Sequence, residues 1–437
     1  MELTAAPISL GAEMHALVSD LYPICRSITG DGFRESLSHL QRLLPLDIHE
    51  VPTGTRVFDW IVPNEWNIRD AWIANSAGER VVDFRRHNLH VVNYSAPVRQ
   101  RMSLSELRPH LFSIPEHPDW IPYRTSYYRQ TWGFCLTHRQ LQSLPDDQYE
   151  VCIDSTLASG NLTWGEMLLP GERSDEVLLS CHSCHPSLAN DNLAGMAVAT
   201  YLARRLAERP RKLSYRFLFI PGTIGSITWL AKNRARVGRI KHGLVLSCLG
   251  DRGSLTYKRS RRGNALIDRA ASHVLRHSGD HTLLDFVPYG YDERQYCSPG
   301  FDLAVGCLTR TPNGKYPEYH TSADNLDFVS PEHLAHSLCA CETIMDVLEH
   351  DSHYRNLNPF CEPQLGKRGL YDGVAGKREL PTLELALLWV LNQSDGERGL
   401  LDIAERSGLE FNVIHSAATA LRKSGLLERV ENSGASS

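Results

Sequence analysis

The chain has 437 residues, 42% hydrophobic and 22% charged, with a net charge of −5. That length exceeds one ordinary core, so two or three domains are expected. Interspersed charge of both signs argues against a polyanion-binding surface, and no run of about 18 apolar residues offers a membrane span.

Eleven cysteines are scattered along the chain, an odd number. The first residues lack the basic and apolar segments of a secretory leader. Reduced thiols and a cytoplasmic location are the expectation.

Residues 12–44 read as mostly helix, from apolar residues spaced three and four apart. From 47 to 150 short apolar runs alternate with turn residues and aromatics are dense, among them Trp60, Trp66, Trp72, Trp120 and Trp132. That texture predicts an inserted β-rich domain. From 151 to about 350 apolar strands alternate with helical patterns, which implies a mixed α/β sheet with flanking helices. The expected main domain is therefore discontinuous, 1–46 and 151–362.

A polar, glycine-bearing linker follows at 366–378. Residues 378–430 then read as helix, helix–turn–helix and a short strand, the pattern of a winged-helix domain. Residues 431–437 form a polar tail. The second helix of the turn brings only His415, Arg422 and Lys423 toward a groove, so nucleic acid is not the expected partner. Docking onto the body, onto a partner protein or onto a second copy is preferred.

The richest chemistry lies at Cys181-His-Ser-Cys-His185 and Ala189-Asn-Asp-Asn-Leu-Ala-Gly195. An apolar strand would deliver His182 and His185 at its carboxyl end, and a small-residue helix would follow Asp191. Neutral imidazole and carboxylate suit a borderline cation such as zinc. The alternative is that the histidines cap a strand and Asp191 caps the helix. Cys181 and Cys184 read as small buried residues.

A second pole is Tyr316-Pro-Glu-Tyr-His-Thr-Ser-Ala-Asp-Asn-Leu-Asp327, with His320 as a candidate ligand. A third is Tyr291-Asp-Glu-Arg-Gln295, where Glu293 is a candidate ligand or proton-transfer group. There Arg294 could hold a substrate carboxylate. Asp251, after an apolar strand, is a further candidate ligand. Arg124, Tyr127, Tyr128 and Arg129 could line a sugar or peptide cleft, or belong to the core of the β-rich unit.

Taken together, these segments resemble the aminopeptidase-like proteins found with bacterial surface-polysaccharide genes. Those are distant relatives of di-zinc aminopeptidases with an inserted β domain and a C-terminal winged helix. The likeness extends to Tyr22-Pro-Ile-Cys-Arg-Ser-Ile-Thr-Gly-Asp-Gly32, Phe58-Asp-Trp-Ile-Val-Pro-Asn-Glu-Trp-Asn-Ile-Arg69, Ile121-Pro-Tyr-Arg-Thr-Ser-Tyr-Tyr128 and Trp132-Gly-Phe-Cys135. The resemblance implies that Asp191 takes the place of the metal-bridging aspartate and His320 that of the terminal histidine. Asp324 and the hydroxyl after His320 would fix the loop.

One departure matters. Di-zinc aminopeptidases carry two adjacent glutamates after a central strand, one a general base and one a ligand. Here that region, Phe219-Ile-Pro-Gly-Thr-Ile-Gly-Ser226, has no acidic residue, and Gly222 stands where the polysaccharide-cluster group often has a glutamate. One zinc is expected, held by His182, Asp191 and His320 with Asp251 or His185 completing the shell. Glu293 would shuttle the proton and Arg294 would position the substrate. The expected activity is hydrolysis of an amide in a small peptide or an aminoacylated or N-acylated sugar-like molecule. The alternatives are a binding or scaffold protein that has lost catalysis and contacts partners through the winged helix, or a DNA-binding regulator.

Overall fold

The computed structural model describes residues 8–370 and 381–430. The second part of the expected linker, residues 371–378, and the tail at 431–437 lie outside the described residues. Two units are resolved by their internal contacts, 1–265 with 281–339, and 266–280 with 340–437.

The first unit is organised on one eight-stranded sheet. Its strands are β1 Asp47–Pro52, β2 Asn161–Leu169, β3 Glu176–His182, β4 Ser214–Ile220, β5 Ile240–Leu246, β6 Leu255–Lys258, β7 His281–Leu284 and β8 Val305–Thr309. Their order across the sheet is β1-β2-β4-β3-β5-β8-β6-β7. The middle four, β4, β3, β5 and β8, are parallel to their neighbours in that block; β1 and β2 pair antiparallel, and β6 pairs antiparallel with β8 and parallel with β7. Every residue of β3 and β4 is buried, as expected of central strands covered on both faces. Arg216 in β4 pairs with Glu176 of β3 at 2.6 Å and with Glu166 of β2, so the guanidinium inside the sheet is neutralised by carboxylates on both adjoining strands.

Helix Gly195–Ala207 follows β3 and is almost wholly buried, built from Gly195, Ala197, Ala199 and Ala203 with larger residues between. Small side chains allow the close approach to β3 that ends at the site.

Residues 65–158 form a separate antiparallel sheet in the order Arg80–Asp83, Glu65–Ala74, Gln148–Ala158, Val98–Ser103. Its core includes Ala71, Ile73, Phe134, Tyr149 and Val151. The strand Asp47–Pro52, which precedes these in the chain, instead joins the eight-stranded sheet through β2. Gly30, with φ of +96°, brings its backbone against this insertion. A Cβ there would meet the Trp66 carbonyl oxygen at 2.0 Å, so only glycine fits.

The second unit contains helices Thr382–Gln393, Leu400–Ser407 and Phe411–Lys423 and a three-stranded sheet. In that sheet His353–Asn356 lies between Asp395–Gly399 and Leu427–Val430. Helix Leu266–Arg276 belongs to this unit, where Arg269 pairs with Asp402 at 2.6 Å and with Glu405 at 2.5 Å. Among the described residues no helix is long and apolar enough to cross a membrane.

Candidate metal centre

The carboxyl ends of β3 and β5 meet at Asp191. Its side chain is wholly buried, and three imidazoles and one phenol surround it. His182 Nε2 lies 2.8 Å from Oδ1, and His320 Nε2 lies 3.0 Å and His185 Nδ1 3.3 Å from Oδ2. The Tyr291 hydroxyl reaches both oxygens, at 2.8 and 2.9 Å, and its ring stacks on His182 at 3.8 Å. Tyr319 bonds the same hydroxyl at 2.9 Å and stacks on His320.

The residues on either side of Asp191 explain how it is held. The Asn190 side chain donates to Asp251 at 2.9 Å and accepts from the Gly250 amide at 2.9 Å. Asn192 donates to the Leu246 carbonyl at 2.9 Å and accepts from the amides of Cys248 and Gly195. The helix-capping part therefore falls to Asn192, which leaves Asp191 free to face the histidines. From the opposite side Asp324 accepts the amides of Asn190 and Asp191 at 2.6 and 3.0 Å. Arg26, also wholly buried, donates from Nε and Nη2 to the His185 carbonyl at 3.2 and 3.0 Å.

The electrostatics suit a cation. Burial alone would raise the Asp191 carboxyl, but the surrounding imidazoles, His185 foremost, hold it well below the usual range. Burial pushes the His182 imidazole down to about 4, against the opposing pull of Asp191, and also lowers His320. An ionised carboxylate beside imidazoles that burial biases to the neutral form, as at His182 and His320, is the protonation state that a metal requires. His320 Nε2, although 3.0 Å from Asp191, is out of line for a hydrogen bond and has no such partner among the described residues. His182, His185 and Asp191 each offer an atom within 4.8 Å of the others. The donor set fits zinc. His182 and Asp191 are sealed, whereas the His320 side chain is 34% exposed, so the site opens on that side.

Of the sequence candidates, His182, His185, Asp191 and His320 come together here. Asp251 is engaged elsewhere, accepting from Asn190, Gly253 and Thr311. It braces the Asn190 loop. Glu293 is buried in an ion pair with Lys258 and accepts the Tyr291 amide at 3.1 Å. Arg294 is not among the side chains on Asp191, and its Nε has no hydrogen-bond partner among the described residues. Cys181 and Cys184 are buried, and their thiols approach Ser183 and the Gly222 carbonyl.

The inserted unit supplies one wall. Tyr123 lies edge-on to His185 and His320, with centroids 5.1 and 5.0 Å away, and its hydroxyl bonds Tyr127 at 2.8 Å. The backbone of 121–123 pairs with that of 320–322, through Tyr123 N to His320 O at 2.7 Å and Ser322 N to Ile121 O at 2.8 Å.

Three contributors escape a reading of the sequence. Tyr291 opens the segment in which only Glu293 and Arg294 draw attention, and Cys248 looks like the end of an apolar strand. Asp292 is the third. It is wholly buried, its Oδ1 accepts from Ser226 at 2.7 Å, and its Oδ2 has no partner among the described residues. A Cβ on Gly222 would stand 2.9 Å from the His182 Cβ and 3.7 Å from that oxygen. Burial pushes the Asp292 carboxyl up to about 7.

A mixed α/β sheet with its ligand-type residues at the carboxyl edge, joined to a winged helix, defines a zinc-peptidase-like body with an appended helix–turn–helix. A zinc aminopeptidase from Bacillus subtilis superposes with a TM-score of 0.56 at 12% identity, over 77% of this chain and 94% of that one. An M28 peptidase precursor from Shewanella amazonensis gives 0.56 at 12% identity, over 78% and 95%. These likenesses concern the fold.

The chain belongs to the DUF4910 family, described as a domain of unknown function, whose profile matches residues 15–351. A winged helix-turn-helix profile matches 352–429. A Clostridium acetobutylicum protein, named for polysaccharide biosynthesis and an aminopeptidase-like domain, is 50% identical over 421 residues, 96% of this chain and 97% of its own. A crystal structure of a peptidase candidate from Clostridium acetobutylicum superposes with a TM-score of 0.93 at 49% identity, over 97% of each chain.

Proposed function

We propose that the protein is a zinc-dependent hydrolase that cleaves an amide in a small peptide or in an aminoacylated or N-acylated sugar-like molecule. The observation that carries this reading is the convergence of three imidazoles on one sealed carboxylate at the carboxyl edge of the sheet. His182, Asp191 and His320 would hold the metal, with His185 completing the set. Zinc held there would supply Lewis acidity and water with a pKa of ~7.

The rest falls to the chain itself. Tyr291 orients Asp191 through both oxygens. With Glu293 tied to Lys258, the proton-carrying part expected of Glu293 passes in this reading to Asp292, whose free oxygen faces the place vacated at Gly222. Its pKa near 7 suits a group that gains and loses a proton at neutral pH. The sugar-like class of substrate draws support from the name of the Clostridium relative. It also draws on the half-exposed rings of Trp60 and Tyr128, 5.4 Å apart, which offer a stacking surface beyond Tyr127.

Metal analysis of protein purified without a polyhistidine tag tests the reading. About one zinc per chain is expected, falling to near zero in His182→Ala. Stoichiometry near zero in both would reject it.

The bare loop at Gly222 favours a second reading, a binding or scaffold protein that has lost catalysis. Hydrolysis of aminoacyl arylamides by Gly222→Glu but not by the natural protein would establish that alternative. For the winged unit we favour protein contacts, with a partner or a second copy, over DNA. The exposed face of helix Phe411–Lys423 carries Asn412, Ser416 and Thr419, with cations only at Arg422 and Lys423.

A further inference from the structure

Early in the inserted segment a short hairpin pairs Arg56–Val57 with Trp60–Ile61. Its two turn residues are Phe58 and Asp59. Turns of this length favour glycine or asparagine, because the chain must adopt positive φ. Phe58 has a φ of +56° and its ring is 45% exposed, so a bulky side chain stands where the backbone least favours one. Trp60 and Tyr128 beside it are also exposed. Strain of this kind, at the edge of a cluster of exposed rings, points to a ligand.

The tip of the hairpin lines a cavity of about 390 Å³, within the range of small-molecule sites. Its other walls are helix Ile224–Asn233, through Ile227 and Leu230, and the segment 295–301, where Phe301 meets the Phe58 ring edge-on at 5.8 Å. Both walls also hold Asp292. Ser226 donates to its Oδ1 at 2.7 Å, and its carbonyl accepts the Gln295 amide at 2.9 Å. From Trp60 a run of rings leads to the candidate metal centre, through Tyr128 and Tyr127 to Tyr123, which lies against His185 and His320.

The lining is of two kinds. Phe58, Trp60 and Phe301 offer ring faces, whereas Asp59, Arg234 and Gln295 offer hydrogen-bonding groups. One carboxylate and one guanidinium leave the lining with no formal net charge. An acyl chain would leave those polar groups without partners, and an anionic group would meet Asp59. A neutral sugar answers both kinds of surface. Its C–H face packs on the rings, and its hydroxyls or N-acetyl group bond the polar side chains.

We propose that this cavity binds a neutral sugar ring, the part of the substrate remote from the scissile amide. As a substrate subsite it rests on the hydrolase reading above, and it narrows the substrate to the sugar-bearing class.

Ligand-observed NMR titration of the full-length protein with N-acetylglucosamine and N-acetylgalactosamine tests this. At least one should bind with a Kd of about 1–10 mM, usual for a ligand of that size. Trp60→Ala should weaken binding by about tenfold. Phe58→Gly should weaken it similarly without lowering the thermal unfolding midpoint, because glycine suits the turn. Glucuronic acid and decanoate should bind more weakly than the neutral sugars. Binding of neither N-acetyl sugar, tighter binding of glucuronic acid or decanoate, or affinity unchanged in both variants would each overturn the assignment. Stripping metal with a chelator should leave sugar binding unchanged, so the two readings fail separately. Zinc in its site with no sugar bound would overturn the sugar site alone. Sugar bound by a protein that takes up no zinc would support the sugar site and reject the hydrolase.

Discussion

Two loops leave neighbouring strands of the same sheet edge and differ completely in equipment. The one after β3 carries His182, His185 and Asp191, and is braced by Asn190, Asn192, Asp324 and Arg26. The one after β4 is Pro221, Gly222 and Thr223, with no acidic side chain. Holding a cation and moving a proton are thus separable tasks. In the proposed reading the first falls to the loop after β3. The loop after β4 offers no acidic side chain for the second, and among the described residues a buried carboxylate oxygen without a partner is Asp292 Oδ2, in a different segment.

The sharpest way to break that contrast is to remove the substitute. Asp292→Asn should lower kcat/KM by roughly 10²–10⁴-fold, the usual worth of a proton-transfer group. It should also make the rise of kcat/KM with pH near 7 shallower, from two ionisations to one.

The loop after β3 predicts a loss of binding instead. Asp191→Ala should weaken zinc by about 100–1000-fold, one donor's share of a four-ligand site, read by competition with a chromogenic chelator. Unchanged affinity would remove Asp191 from the site.

Stability offers a third test, in metal-free protein. The Asp292 carboxyl has a folded-state pKa near 7, above its ordinary value of 3.8. The folded state therefore binds the extra proton between those values, and stability falls as pH rises through that window. The loss amounts to up to about 4 kcal/mol, and Asp292→Asn should flatten it in urea denaturation at pH 4 and pH 8. The smallest effect concerns the brace. Asn190→Ala leaves the Gly250 amide and one Asp251 oxygen short of a partner and should cost about 1–3 kcal/mol in the same experiment.

Much of this arrangement can be read from residues alone. His182, His185 and Asp191 sit in a short segment where an apolar strand meets a small-residue helix, and such a junction has few physical explanations. His320 is legible because Thr321, Ser322 and Asp324 follow it in a pattern with a known counterpart. Tyr291 and Cys248 are not, because a tyrosine or a cysteine beside apolar neighbours looks like core until a fold places it against a carboxylate. Asp251 and Glu293 fail in the opposite sense. Charge and position after a strand or turn mark them, but their hydrogen bonds are spent on Thr311 and Lys258, partners 60 and 35 positions away along the chain. The mixed α/β sheet followed from the alternation of strand and helix patterns. The pairing of Asp47–Pro52 with β2 did not, since nothing local distinguishes that strand from those of the insertion.

The short ladder between 121–123 and 320–322 ties His320 to a part of the chain two hundred residues earlier. An engineer who trimmed the inserted unit to obtain a minimal catalytic body would remove the template against which this histidine's loop is laid. The module that looks like an accessory in the linear order is, in three dimensions, half of a clasp.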